Sequence, residues 1–463
     1  MKEKKKSSFS SSLGFILTAA GSAVGVGNLW RFPYLAAKDG GGLFIFIYLI
    51  LILTFGFTLL ATDIAIGRKT RKNAFEAFQS LNKKWGFLGK LTFLVPSLIM
   101  TYYCVIGGWI LKYIISYSSL SSSIAASHNY FYDFIQSFLP PIVYTLIFLA
   151  ITAFIVYRGV EKGVEKFSTY VMPGLFIIII FISIYSLTLS YTTADGIVRT
   201  GLDGLKVYLI PNFDGLTLKR FIQILLDAMS QLFFSLSVSM GIMITYGSYV
   251  PKDINLNKSI SLIEICDSVV ALLAGMMIIP AVYVFMGSEG MSEGAGLMFV
   301  SLPQVFQSMG PIGGFIGLIF FIMVAFAALT SSISIMETLV ATISDLFKTS
   351  RKKVSLIIAI LAGLTSIIIC MGYNVFFFKV ALPNGTIAQL IDVVDYIANN
   401  FLMPFISLLT CIFIGWIIKP KAIIEEMESS GHTFTRKKIY TIMIKYVTPV
   451  MMMILFLTST GIL

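Results

Sequence analysis

Eleven apolar runs, each long enough to cross a lipid bilayer as a helix, constrain this chain more than any other feature. They fall at roughly 13–36, 43–66, 91–118, 138–157, 167–191, 221–249, 260–286, 312–345, 354–378, 386–418 and 439–460. About 20 apolar residues suffice for a helical crossing, and lipid leaves an exposed strand edge without hydrogen-bond partners. Composition agrees, with 57% of the 463 residues hydrophobic and 12% charged, against about 25% charged in soluble domains. Mean hydropathy is +0.88. Disorder, coiled coil and a water-soluble enzyme are excluded. The chain reads as all-α and polytopic.

The net charge of +11 belongs to the loops. With the N-terminus inside, the inner segments collect 26 of the 34 Lys and Arg residues, and the loop at 119–137 has none. By the positive-inside rule the N-terminus is cytoplasmic and, after eleven crossings, the C-terminus is extracellular or periplasmic. A plasma (inner) membrane location follows, with no nucleic-acid partner, because no basic face exists on a soluble domain. Cys104, Cys266, Cys370 and Cys411 lie in apolar runs, and His128 and His432 lie in separate loops without metal-ligand spacing. The N-terminal run ends in Arg31-Phe32-Pro33 and does not read as a cleaved signal peptide. The outer stretch at 192–219 reads as a lid-like or short-helical segment. The basic stretch at 419–438 reads as a solvated inner connection.

Two spans make poor continuous helices. The first reads Gly21-Ser-Ala-Val-Gly25-Val-Gly27-Asn28-Leu-Trp30-Arg31-Phe32-Pro33, with three glycines in seven residues and then Asn, Arg and Pro. Glycines alone would suit close helix packing, but Asn28 and Arg31 inside a span point to a polar cavity or a partner. The sixth reads Gln231-Leu-Phe-Phe234-Ser235-Leu-Ser237-Val-Ser239-Met240-Gly241, whose alternate serines favour local unwinding. Each opens a set of five spans. Interruptions at matching positions of two halves mark a transport site at the bilayer midplane, where free carbonyls meet cations and free N–H groups meet an anion.

These residues resemble the neurotransmitter:sodium symporter family, above all in the Gly21–Pro33 signature, over essentially the whole chain. The resemblance implies the LeuT-like 5+5 inverted repeat, with the first and sixth helices unwound at the midplane. The parts are then a tail at 1–12, a first repeat at 13–191, an extracellular loop at 192–220, a second repeat at 221–418, and an inner loop with helix eleven at 419–463. It implies a sodium-coupled importer of neutral hydrophobic or aromatic L-amino acids, working by alternating access as a monomer or weak dimer, with no organic cofactor. Two sodium ions are implied. The first falls on Ala23, Asn28, Ser235, Asp267 and the substrate carboxylate. The second falls on carbonyls of Gly21, Val24 and Ala327 and hydroxyls of Thr330 and Ser331. Chloride-dependent relatives have Asn at the Asp267 position and a serine four residues on, where this chain has Ala271. A built-in carboxylate therefore predicts chloride independence.

By the same resemblance Tyr103 and the Gly27 N–H bind the substrate carboxylate, while carbonyls of Ala23, Phe234 and Ser235 take the amine. Ile99, Tyr103, Phe234, Ser237, Met240, Ser331 and Ile335 form the side-chain pocket, apolar and without charge. Arg31 and Asp395 are the implied outer gate, with Asp392 a competitor. Lys6 or a neighbouring lysine, Asp345 and Tyr249 form the inner one; Lys6 and Phe9 stand where the family has Arg and Trp. Gly163 and Pro173 match a spacing that unwinds the inner end of the fifth span, although a simple kink fits those residues as well. Three rivals are weaker. A sensor lacks a soluble signalling domain, an intramembrane enzyme lacks a nucleophile–base set, and sodium-independent or proton-coupled exchange leaves the double set of oxygen ligands unexplained.

Overall fold

The computed structural model describes residues 8–119, 122–193, 195–287, 290 and 296–463. Nine continuous helices among these residues are long and apolar enough to span a membrane: Gly42–Thr70, Lys83–Ser118, Pro140–Tyr157, Val160–Leu187, Leu256–Met286, Gly310–Leu346, Arg351–Met371, Leu390–Ile418 and Lys437–Ser459. Ser12–Ala23 and Val26–Lys38 meet at 61° and together make a tenth, bent span. A further run, the pair Leu218–Ser235 and Ile242–Tyr249, is interrupted at Leu236–Gly241. Both breaks expected from the sequence are thus present as gaps in regular helix.

Burial sorts the spans into an interior and a rim. The most apolar window of Gly42–Thr70 is 72% buried, whereas those of Val160–Leu187 and Lys437–Ser459 are 33% buried and turn Ile177, Ile184 and Val450 outward. Exposed apolar side chains of that kind suit lipid rather than water. The broken first span lies inside, against the fifth, seventh and eighth. The second half of the broken sixth span packs on the second span through facing glycines. A Cβ on Gly67 would lie 1.9 Å from the Ile244 carbonyl oxygen, and one on Gly247 would lie 2.2 Å from that of Ile64. Only glycine permits this backbone-to-backbone contact, which anchors the sixth span just below its break.

Outside the bundle, Ser190–Thr192 pairs antiparallel with Val198–Thr200, and the helix Gly201–Leu209 follows, capped by the Thr200 hydroxyl. The inner stretch at 419–438 departs from its reading as a solvated connection. It contains the helix Lys421–Glu428, whose Glu426 is buried and accepts from Arg68 at 2.7 Å and from Lys252 at 2.6 Å. Arg68 is wholly buried, so the loop satisfies a charge that would otherwise be desolvated alone.

Candidate functional site

The first helix ends at Ala23 because Val24 leaves helical geometry (φ −72°, ψ 88°), and Gly25 then runs extended before Val26 restarts the helix. The sixth ends at Ser235, and Ser237, Ser239 and Gly241 all take positive φ, at 52°, 61° and 79°. The two gaps face each other. Ser22 and Ser237 are joined through a hydroxyl–carbonyl bond of 2.9 Å, and Gln231 donates to the Gly27 carbonyl at 3.3 Å. A Cβ on Gly27 would lie 2.7 Å from the Phe234 ring, so the aromatic wall closes directly on glycine backbone.

Between the gaps is a small cavity. All ten residues expected to hold substrate line it: Ala23, Gly27, Ile99, Tyr103, Phe234, Ser235, Ser237, Met240, Ser331 and Ile335. Ser22, Gly25, Val26, Asn28 and Ile242 line it too and were not assigned to substrate from the sequence. The lining combines residues of both breaks with the apolar side chains of Ile99, Phe234, Met240 and Ile335.

Beside it, four spans deliver one polar knot. Asn28 Nδ2 donates to Ser235 Oγ at 3.0 Å and to Asp267 Oδ1 at 2.8 Å, and Ser235 Oγ donates to the same carboxylate oxygen at 2.5 Å. Tyr48, which no sequence pattern marked, donates to Asp267 Oδ2 at 3.0 Å. Asn28 and Asp267 are wholly buried, and every hydrogen-bond partner of that carboxylate is neutral. A buried carboxylate among neutral oxygen-bearing groups fits a hard monovalent cation, because burial of a charge requires a counter-charge.

Of the second expected set, Gly21 and Thr330 are brought together across two spans. A Cβ on Gly21 would be 3.2 Å from the Thr330 side chain. Thr330 Oγ1 donates to the Ala327 carbonyl at 3.0 Å, and Ser331 Oγ donates to the Ser22 carbonyl at 3.3 Å. Val24 stands at the end of the first half-helix.

The expected gates are arranged differently from the sequence reading. Arg31 and Asp395 form no direct ion pair. Arg31 Nη2 donates to Ser230 at 2.7 Å with its guanidinium 5.7 Å from the Phe234 ring, while Asp395 accepts from Tyr102 and Asn399, each at 2.6 Å. In this conformation Arg31 meets a nearer neutral acceptor, and Asp395 meets nearer neutral donors. On the inner side Lys6 lies outside the described residues, and Asp345 accepts from Asn73 at 3.0 Å. Tyr249 donates instead to Glu337 at 2.7 Å, and Arg351 pairs with that buried carboxylate at 2.6 Å. An acid in the middle of the eighth apolar run was the signal available for Glu337. Gly163 lies in a π-helical turn, Val160–Glu165, and Lys166–Leu187 stays helical through Pro173. The inner end of the fifth span is therefore wound here. Ser10 binds it through Glu165, by main-chain N–H at 3.0 Å and hydroxyl at 2.7 Å.

At the outer rim the half-helices are clasped. Lys38 pairs with Asp227 at 2.7 Å, and Arg220 approaches Asp39 at 3.1 Å. Burial, and then the facing Asp227, push the Asp39 carboxyl up to about 7.

Two broken helices meeting over a buried polar cluster, in a bundle of membrane-long helices, match the architecture of secondary transporters. The family comparison agrees, for residues 6–133 and 137–462 match the model of the sodium:neurotransmitter symporter family. A sodium-dependent transporter of Bacillus subtilis, YhdH, is 35% identical over the full length of both chains. Another, from Haemophilus influenzae, is 32% identical over 98% of each. The solved structure of MhsT in complex with L-phenylalanine superposes with a TM-score of 0.84 at 33% identity, over 98% of this chain and all of that one. The chain belongs to the sodium:neurotransmitter symporter family, whose members are sodium-dependent membrane transporters.

Proposed function

We propose that the protein imports large neutral L-amino acids, aromatic ones included, together with two sodium ions and without chloride. The convergence of Asn28, Ser235 and Asp267 under an uncharged, partly apolar cavity carries this reading. Carboxylate, sodium and Asp267 would share the buried knot, so substrate binding and ion binding depend on each other. The fixed negative charge of Asp267 supplies the balance that a chloride ion gives in relatives with a neutral residue there. Met240, an adaptable filler, and Ile99 and Ile335 favour large apolar side chains. The solved relative MhsT holds L-phenylalanine.

Residues Gly21, Val24, Ala327, Thr330 and Ser331 would hold the second ion. The tyrosine–glutamate–arginine contact of Tyr249, Glu337 and Arg351 closes the inner side, and the packing of Arg31 over Phe234 closes the outer. The N-terminus is cytoplasmic, the C-terminus is on the outer side, and the chain crosses eleven times. Two ions entering across about 100 mV supply roughly 5 kcal/mol, and a tenfold sodium gradient adds about 1.4 kcal/mol for each. Tight coupling would then support accumulation of the order of 10⁵-fold.

The test is uptake by purified protein in liposomes, each of the twenty amino acids being offered with sodium, lithium or potassium and with varied chloride. Sodium-dependent, chloride-indifferent uptake of phenylalanine, leucine or methionine is expected. Uptake indifferent to sodium would remove the mechanism.

A further inference from the structure

We propose that Glu426, in the inner loop at 419–438, is a positioning residue that pins the inner end of the broken sixth span and so holds the inner gate shut. This rests on reading the contacts of Tyr249 as that gate. Glu426 lies on the helix Lys421–Glu428, is 4% exposed, and belongs to neither oxygen cluster nor the gate itself. The sixth span ends at Tyr249, and the chain runs on through Val250 and Pro251 to Lys252. Lys252 Nζ donates to both Glu426 carboxylate oxygens, at 2.6 and 2.8 Å. Arg68, wholly buried at the inner end of the second span, donates from Nε to Glu426 Oε1 and from Nη1 to the Ile254 carbonyl, each at 2.7 Å. One carboxylate thus serves two cations, and both contacts lead to the few residues that follow the gate helix.

The loop can serve as a post because it is fixed again further along. Arg436 donates to the buried Glu264 of the seventh span at 3.0 Å, with its guanidinium 4.3 Å from the Phe57 ring. Phe434, also buried, packs 5.8 Å from that same ring. What the post holds is the gate. The Tyr249 carbonyl accepts from the Phe9 N–H at 3.1 Å, and the Phe9 ring meets those of Tyr246 and Tyr249 edge-on at 5.8 and 6.0 Å. The eighth span holds the same helix end through the Tyr249–Glu337 bond. Without its carboxylate, Glu426 would leave Arg68 a buried charge with no ion-pair partner among the described residues. The sixth span then loses one of its two inner anchors, and a conformation open to the inner side gains population.

The experiment follows maleimide labelling of a cysteine placed at Thr18, buried in the inner half-helix of the first span, in purified full-length protein with the label located by peptide mass. The Thr18→Cys parent labels more slowly in sodium with L-phenylalanine than in potassium. Lys252→Met keeps the apolar stem and the buried Arg68–Glu426 pair, and it raises the rate in sodium with phenylalanine about threefold. Glu426→Gln raises it about tenfold or more. Glu425→Gln, on the same helix but exposed and only 3.8 Å from Lys421, leaves the rate unchanged. If Glu426→Gln fails to fold, Lys252→Met decides, since Lys252 is half-exposed. An unchanged rate in folded Glu426→Gln or in Lys252→Met, or an equal rise in Glu425→Gln, would overturn the proposal. A parent that labels equally fast in sodium with phenylalanine and in potassium would remove the gate reading, and this inference with it.

Discussion

The two broken helices reach the same end by different physics. The first break is written in its own residues. Gly25 runs extended between two helical segments, and Gly27 leaves room for the Phe234 ring. The second is a run of serines, leucine, valine and methionine that adopts left-handed geometry at Ser237 and Ser239 without glycine. There the conformation is imposed by Ser22 and Asp63 from neighbouring spans. A break that composition encodes persists wherever the segment is placed. One that neighbours impose changes when they move, which suits the half of the site whose walls meet the variable side chain.

The sharpest way to break this contrast is Gly27→Ala. The added methyl meets the Phe234 ring at 2.7 Å, an overpacking of about 1–3 kcal/mol. Sodium-dependent phenylalanine binding should fall roughly tenfold to a hundredfold. Binding equal to the parent would show that the two walls are not in contact when substrate is bound.

Asp267→Ser addresses the knot both halves share. Removing the carboxylate takes the acceptor from Tyr48 and Ser235 and leaves Asn28 with Ser235 alone, and sodium affinity in chloride-free buffer should drop about tenfold. Adding chloride should restore much of it. A variant that gains no chloride dependence counts against charge compensation by Asp267.

The smallest effect expected is at the outer rim, where Asp39 and Arg220 join the far ends of the same two broken spans. Because its carboxyl is raised to about 7 in the clasp, the protonated form is favoured there. That contribution is complete at acid pH and is lost as pH rises through about 7. The labelling rate of a cysteine reporter in the outer vestibule, divided by that of a free thiol at the same pH, should be a few-fold higher at pH 8.5 than at pH 6, and Asp39→Asn should flatten the difference. A pH-independent ratio in the parent would show that Asp39 does not govern the rim.

Gly21, Asn28, Arg31 and Asp267 were legible because a glycine cluster and polar groups inside apolar runs cannot be explained by lipid contact. The same logic was available for Asp63 and Glu337, which are acids in apolar runs. Their partners could not be read, since Ser239 and Arg351 become neighbours only on packing. Tyr48 carried no signal, a tyrosine in a membrane span being ordinary.

The chain alone determined its membrane class and the positions of both breaks. Those depend on local free energies: hydrocarbon solvation, helix propensity and the cost of an intramembrane charge. Tertiary structure alone decided that Arg31 turns to Ser230, that Asp395 turns to Tyr102 and Asn399, and that Arg351 reaches Glu337. A buried charge takes whichever compensating group packing brings within about 3 Å, and sequence distance says nothing about which one that is.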